Sequence, residues 1–209
     1  MESTREQSVY ELAELLRISG NSVRPVRDAV LEGVKGMKRV AKFEKVSLEQ
    51  FMEGWTDTFA TQRPGVIEQI YDGICLPKRA TSGSAGYDFF APAAIILKPG
   101  ETVKIPTGVR VWMEPEWVLK CYPRSGLGFK YRLQLNNTVG IIDSDYYYSD
   151  NEGHIFAKLT NDSREGKTVE IKAGDGFMQG IFTEYGITLD DCTQSIRNGG
   201  FGSTTGQNG

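Results

Sequence analysis

Apolar residues recur at helical spacing only in the first third of the chain. Val9, Leu12, Ala13, Leu15 and Leu16 mark one amphipathic helix, Ser19, Gly20 and Asn21 break it, and Val26, Ala29 and Val30 open a second, with Pro25 suited to its first turn. Over residues 42–59, Ser47 and Gln50 stand at capping-box spacing ahead of Phe51, Trp55 and Phe59, which recur every four residues. This predicts a helix whose single aromatic face docks on the domain that follows. Arg63, Pro64 and Gly65 break the pattern and mark a boundary. After about Ile67 the texture changes to short alternating runs cut by Gly, Pro and Asp. Residues 102–113, 117–122, 154–159, 168–172 and 177–182 read as strands, with turns at Pro99 and Gly100 and over 174–176. Repeated short strands without intervening helices predict an all-β barrel or sandwich. From Arg197 onward the composition of Gly, Ser, Thr and Asn predicts a mobile arm.

Length and composition bound this picture. A chain of 209 residues holds one good-sized core, or one domain with a short extension, and 24 glycines suit a fold rich in turns. The expected division is a helical extension over 1–36, a helical lead and linker over 37–66, a β domain over 67–196 and the arm over 197–209. A net charge of −3 and a pI near 5.4 give no whole-surface attraction to nucleic acid or to an anionic membrane. A polyanionic substrate must then be met by local arginines or by a metal ion. Cys75, Cys121 and Cys192 are widely spaced, without a CxxC pair, the N-terminus carries no apolar signal segment, and no run is long enough to span a membrane. The expectation is a cytoplasmic protein. The single histidine, His154, removes a Ser/His/Asp triad and a His-rich zinc site; alternation puts it at a strand start, in a surface or core role. Residues 1–36, with Arg24 and Arg27 near the second helix start, permit a helix-turn-helix reading. A plain helical hairpin, or extra residues upstream of a natural start at Met37, accounts for them as well.

Candidate chemistry centres on residues 140–146, where Asp143 and Asp145 follow an apolar run and precede Tyr146, Tyr147 and Tyr148. In a strand the two carboxylates would share a face; in a turn they would serve the backbone. Four further polar clusters punctuate the β region. The text AGYD at 85–88 suits a turn into a strand. PRSGLG at 123–128 suits a loop, yet an arginine, a hydroxyl and two glycines also make a phosphate cradle. GDGFMQ lies at 174–179, and GGFGST at 199–204 closes a tail whose ring, Phe201, could stack on a base. There is no P-loop and no GxGxxG after a strand.

Taken in order with NTVGIIDSDY at 137–146, these clusters resemble the five motifs of the trimeric dUTP diphosphatases (dUTPases), over roughly residues 70–206. The lead FEKVSLEQF at 43–51 is similar to the start of a bacterial subgroup of that family. The resemblance implies a β-clip, jelly-roll-like homotrimer with active sites at subunit interfaces. It implies hydrolysis of dUTP to dUMP and pyrophosphate, which removes dUTP and supplies dUMP for thymidylate synthesis. Asp143 then matches the carboxylate that activates the attacking water, a role that contributes about 10²–10⁴-fold. Tyr146 matches the ring that packs on deoxyribose and leaves no room for a 2′-hydroxyl. Asn137, with Gly140 and other backbone groups of the same hairpin, matches the uracil pocket. Arg124, Ser125, Gly126 and Gln179 match phosphate contacts, and Asp88 matches a carboxylate near metal-bound water. Mg²⁺ is the implied cofactor, because an oxygen-seeking cation bridges three phosphates better than arginines alone. Arg197, Gly202, Ser203 and Thr204 match the arm that closes over the γ-phosphate, and Phe201 the ring stacked on uracil.

The chain departs from the family pattern at several points. Gly176 stands where arginine is frequent, Tyr147 and Tyr148 replace a glycine-containing turn, Arg197 lies one residue closer to GGFG, and 149–153 reads as a short insertion. The related dCTP deaminases offer a rival reading around Gly153, His154 and Ile155. Where that family carries a catalytic glutamate, this chain has Lys158, which cannot shuttle the proton. A non-catalytic dUTP sensor whose first 36 residues engage a protein or DNA is the other alternative, though it would have no need of Asp143 as a base.

Overall fold

The structure, a computed structural model, describes residues 36–59, 63–195 and 197. The helical patterns expected over 1–35 lie outside the described residues. Among the latter, 36–39 and 81–84 group apart from a larger unit, and that larger unit is the one described below.

It is an all-β unit with few helices, as the alternating runs predicted. Its largest sheet has the strand order β2 (Lys78–Arg79), β3 (Tyr87–Phe90), β12 (Gly176–Glu184), β7 (Trp117–Pro123), β9 (Gly140–Ile142). A second sheet places β10 (Phe156–Asn161) between β5 (Thr102–Pro106) and β8 (Leu133–Leu135). Two antiparallel pairs complete it: β1 (Ala41–Lys45) with β6 (Val109–Met113), and β4 (Ile95–Leu97) with β11 (Val169–Ile171). Inward-facing residues at every second position, such as Leu119, Leu159, Val169 and Phe177, are fully buried in one shared core. Each such side chain contributes roughly 1.5–3 kcal/mol.

Four local expectations change. The run at 102–113 is two strands, because Gly108 adopts φ +69 between them and a Cβ there would collide with Ile74 and lie 3.1 Å from Phe51. The break sends β5 to pair with β10 and β6 to pair with β1. Within 42–59, the first residues form β1; the helix α1 is Leu48–Thr58, and Ser47 caps it by accepting from Gln50 N at 3.1 Å. The aromatic face is as expected, with Phe51 and Trp55 buried. The break at 63–65 starts another helix, α2 (Pro64–Asp72), with proline at its first position and Ile67 buried, so the strands that follow it begin at Lys78 rather than near Ile67. Lastly, PRSGLG is not a loop throughout: α3 (Ser125–Tyr131) starts inside it, with Arg124 as its N-cap residue.

Candidate active site

The hairpin between β8 and β9 builds one end of the site. Thr138 takes φ +64 in its turn, and Gly140 then pairs with Cys121 of β7, where a Cβ on Gly140 would stand 3.1 Å from that of Cys121. Glycine thus lets β9 lie close on β7. After Ile142 the chain leaves the sheet: Asp143, extended at φ −79 and ψ 157, precedes a 3-10 helix, Ser144–Tyr148. The pair of carboxylates therefore sits at a turn and not along a strand.

This turn opens on a cavity of about 250 Å³ whose lining includes Asn137, Gly140, Asp143, Tyr146 and Arg197. Arg197 spans both carboxylates, with Nη2 on Asp143 Oδ2 and Nε 3.0 Å from Asp145 Oδ1, and its guanidinium lies 6.0 Å from the centre of the Tyr146 ring. Tyr146 is only 6% exposed. Its hydroxyl donates to the His154 carbonyl at 2.8 Å and accepts from Asn151 Nδ2 at 2.8 Å. Burial, more than its neighbours, raises the phenol above its ordinary pKa, so the ring stays neutral.

Arg124, Ser125 and Gly126 line a second hollow of about 380 Å³, together with Asp175 and Gly176. Arg124 Nε lies 3.3 Å from Asp88 Oδ1. A Cβ on Gly176 would fall 2.6 Å from Arg124 Nη1, so the absence of a side chain at Gly176 is the space in which Arg124 lies. Gln179 pairs in register with Asp88 on β3 and Tyr122 on β7, and Gly86 leaves room for its amide, whose Oε1 would be 2.7 Å from a Cβ there. The structure thus gathers Asn137, Gly140, Asp143, Tyr146 and Arg197 around one hollow and Arg124, Ser125 and Gly126 around another, with Asp88 and Gln179 on adjoining strands. Phe201, Gly202, Ser203 and Thr204 lie outside the described residues.

The dUTPase family profile matches residues 72–205. The chain belongs to the dUTPase family. A deoxyuridine 5′-triphosphate nucleotidohydrolase of Lactococcus lactis is 44% identical over 135 residues, covering 63% of this chain and 89% of that protein. The crystal structure of the dUTPase from Streptococcus mutans superposes with a TM-score of 0.52 at 35% identity, covering 71% of this chain and 98% of its own. A phage phi11 dUTPase, described with a structural Mg(II) ion, shares the fold at 18% identity and a TM-score of 0.51, covering 76% and 98%.

Against that dUTPase background, sequence reasoning missed a set of residues behind the Tyr146 ring. Asn151 and the His154 carbonyl hold its hydroxyl, yet Asn151 had been legible only as part of an insertion. His154 takes the core role: it is fully buried, its Nε2 accepts from Gly108 N at 2.9 Å, and its ring lies 4.3 Å from that of Phe156. No local signal in the sequence marks the bond from Gly108 to His154, which spans 46 residues.

Proposed function

We propose that this dUTPase-family chain hydrolyses dUTP to dUMP and pyrophosphate, with Asp143 as the base. The observation that carries the assignment is the placement of Asp143 on the lip of a nucleoside-sized cavity, beside a buried, hydroxyl-anchored tyrosine. The names of the curated relatives support the substrate. In this reading Asn137 and the backbone at Gly140 face uracil, and Tyr146 packs on the sugar. Asp143 takes a proton from water as its oxygen bonds to the α-phosphorus, and the bond from that phosphorus to the bridging oxygen breaks to release pyrophosphate. Arg124, Ser125, Gly126 and Gln179 hold the phosphates. Arg197 pairs with Asp143 in the empty site; the triphosphate competes for that guanidinium and leaves the carboxylate open to the attacking water. The arm residues Phe201, Gly202, Ser203 and Thr204 would then close the site and exclude water.

The residues present fit Mg²⁺ brought in with the substrate. Among the described residues no three His, Cys, Asp or Glu side chains cluster as a metal cage, and the Asp88 carboxylate pairs with the phosphate-side arginine. A hard cation that keeps its waters and takes most other ligands from phosphate needs little more. Asp88 would hold it through water, and bound Mg²⁺ would neutralise charge building on the leaving phosphates.

A homotrimer with shared sites is part of the proposal, supported by Ile96, Phe129 and Ile141, which are left 67%, 92% and 51% exposed. Among the described residues no helix is long and apolar enough to cross a membrane; a cytoplasmic setting is proposed with the reaction. The deaminase alternative gains nothing from the structure: Lys158 points outward, and Asn161 is spent on the carbonyls of Leu97 and Lys167 at 2.8 and 2.9 Å. Pyrophosphate release from dUTP, dCTP, dTTP and UTP, with and without Mg²⁺, tests the function. Release from dUTP alone, lost on chelation, is expected; no release from dUTP sinks the reading. Asp143→Asn is expected to keep nucleotide binding and to slow turnover at least about 10²-fold, and near-normal turnover would remove Asp143 from the base role.

A further inference from the structure

Two departures from the family pattern, the tyrosines after Tyr146 and the insertion at 149–153, meet the N-terminal lead. Tyr147 donates its hydroxyl to Glu44 Oε2 of β1 at 2.7 Å. The carboxylate of Glu152 accepts two hydrogen bonds from Ser47, the cap of α1: the backbone N at 2.7 Å and Oγ at 2.6 Å. Farther along, the His154 ring is packed against α1, where Gly54 has no room for a side chain: a Cβ would stand 2.8 Å from Phe156 and 3.0 Å from His154. The lead therefore grips the segment after Tyr146 at three points.

The backbone of that segment argues the same way. Glu152 takes φ +55, a left-handed conformation that favours glycine or asparagine, followed by Gly153 at φ +69, where a Cβ would strike the Tyr146 and Tyr147 backbone at 2.8 Å. A glutamate at an unfavourable position is accounted for by its carboxylate, which reaches Ser47 where a shorter side chain would not. On either side of it stand the groups that hold the Tyr146 hydroxyl, Asn151 Nδ2 and the His154 carbonyl.

We propose that Ser47 and Glu152 form a clamp that fixes Asn151 and His154 behind Tyr146, making these two residues of the lead and the insertion determinants of sugar specificity. The proposal rests on the reading of Tyr146 as the surface against which deoxyribose packs. A ring held at both its backbone and its hydroxyl cannot tilt to admit a 2′-hydroxyl; with the clamp open it can. Ser47, Asn151 and Glu152 touch no substrate and act as positioning residues.

The test compares kcat/KM for dUTP and UTP in the full chain, in Glu152→Asn, which suits the left-handed backbone but cannot span to both Ser47 groups, and in Ser47→Ala. Tyr185→Phe, which removes a remote hydrogen bond to the Pro115 carbonyl of 2.7 Å, is the control. The dUTP-to-UTP ratio is expected to fall at least about tenfold in Glu152→Asn, less in Ser47→Ala, and not in the control. Equal losses on both nucleotides, or an unchanged ratio, overturn the proposal. Amide hydrogen exchange over residues 144–154, measured without nucleotide, is expected to quicken in both clamp variants. Unchanged exchange overturns the clamp by itself, even in a protein that proves inactive on dUTP, whereas an inactive wild-type chain with quickened exchange refutes only the substrate assignment.

Discussion

His154 links the stability of this fold to pH, and the size of the link follows from its burial. The side chain is fully buried between Phe51, Phe156 and Gly108, with Nε2 accepting from the Gly108 amide and Nδ1 without a hydrogen-bond partner among the described residues. Burial pushes its pKa down from 6.5 to about 4, with the Glu152 carboxylate opposing and Lys104 adding smaller amounts. The unfolded chain therefore binds a proton at a pH where the folded chain does not. The stability this residue contributes is complete above pH 6.5 and is lost as pH falls from there toward about 4. At pH 4 the loss comes to about 3 kcal/mol, a large share of a typical domain's stability. Urea unfolding at fixed protein concentration, at pH 7, 6, 5 and 4, measures it against His154→Gln, which can still accept from Gly108 but does not titrate. The variant is expected to be less stable at pH 7, through lost ring packing, and to show a shallower decline, so that the two curves converge by about 3 kcal/mol. Carboxylates that do not interact with His154 cancel in this comparison; Glu44, held near 2 chiefly by its Lys42 and Tyr147 hydrogen bonds, is common to both proteins. Parallel curves would refute the reasoning and place a charged or solvated imidazole at this position.

Gly108→Ala is expected to cost about 2–5 kcal/mol, the sum of a left-handed non-glycine residue and a crowded Cβ against Ile74 and Phe51; a melting shift equivalent to less than about 1 kcal/mol would contradict the geometry. Burial pushes the Cys121 thiol up to about 12, while Cys75 and Cys192 are exposed, so Ellman's reagent at pH 8 should titrate two thiols in the folded chain and a third only on unfolding. Three titrating in the folded state would put Cys121 at the surface.

Much of this protein was legible in the order of its residues. Alternation announced the strands at 117–122 and 177–182 to within a residue or two, because a half-buried strand must alternate whatever it pairs with. The cap at Ser47 and the aromatic face of α1 were equally local. The five motifs identified the family because each is a contiguous run whose chemistry is written in adjacent residues. Other features depended on what came to lie across from them. Gly108 is one glycine among many until the fold brings Ile74 against it, and only then does the run at 102–113 divide between two sheets. Gly176 is a departure from a motif until Arg124 is seen lying over it. Above all, the support behind Tyr146 runs from Ser47 to Glu152 across 105 residues of chain. Sequence determined which residues could do the chemistry; the tertiary structure decided which of them meet, since contacts between distant residues depend on sheet pairing and packing that no local pattern encodes.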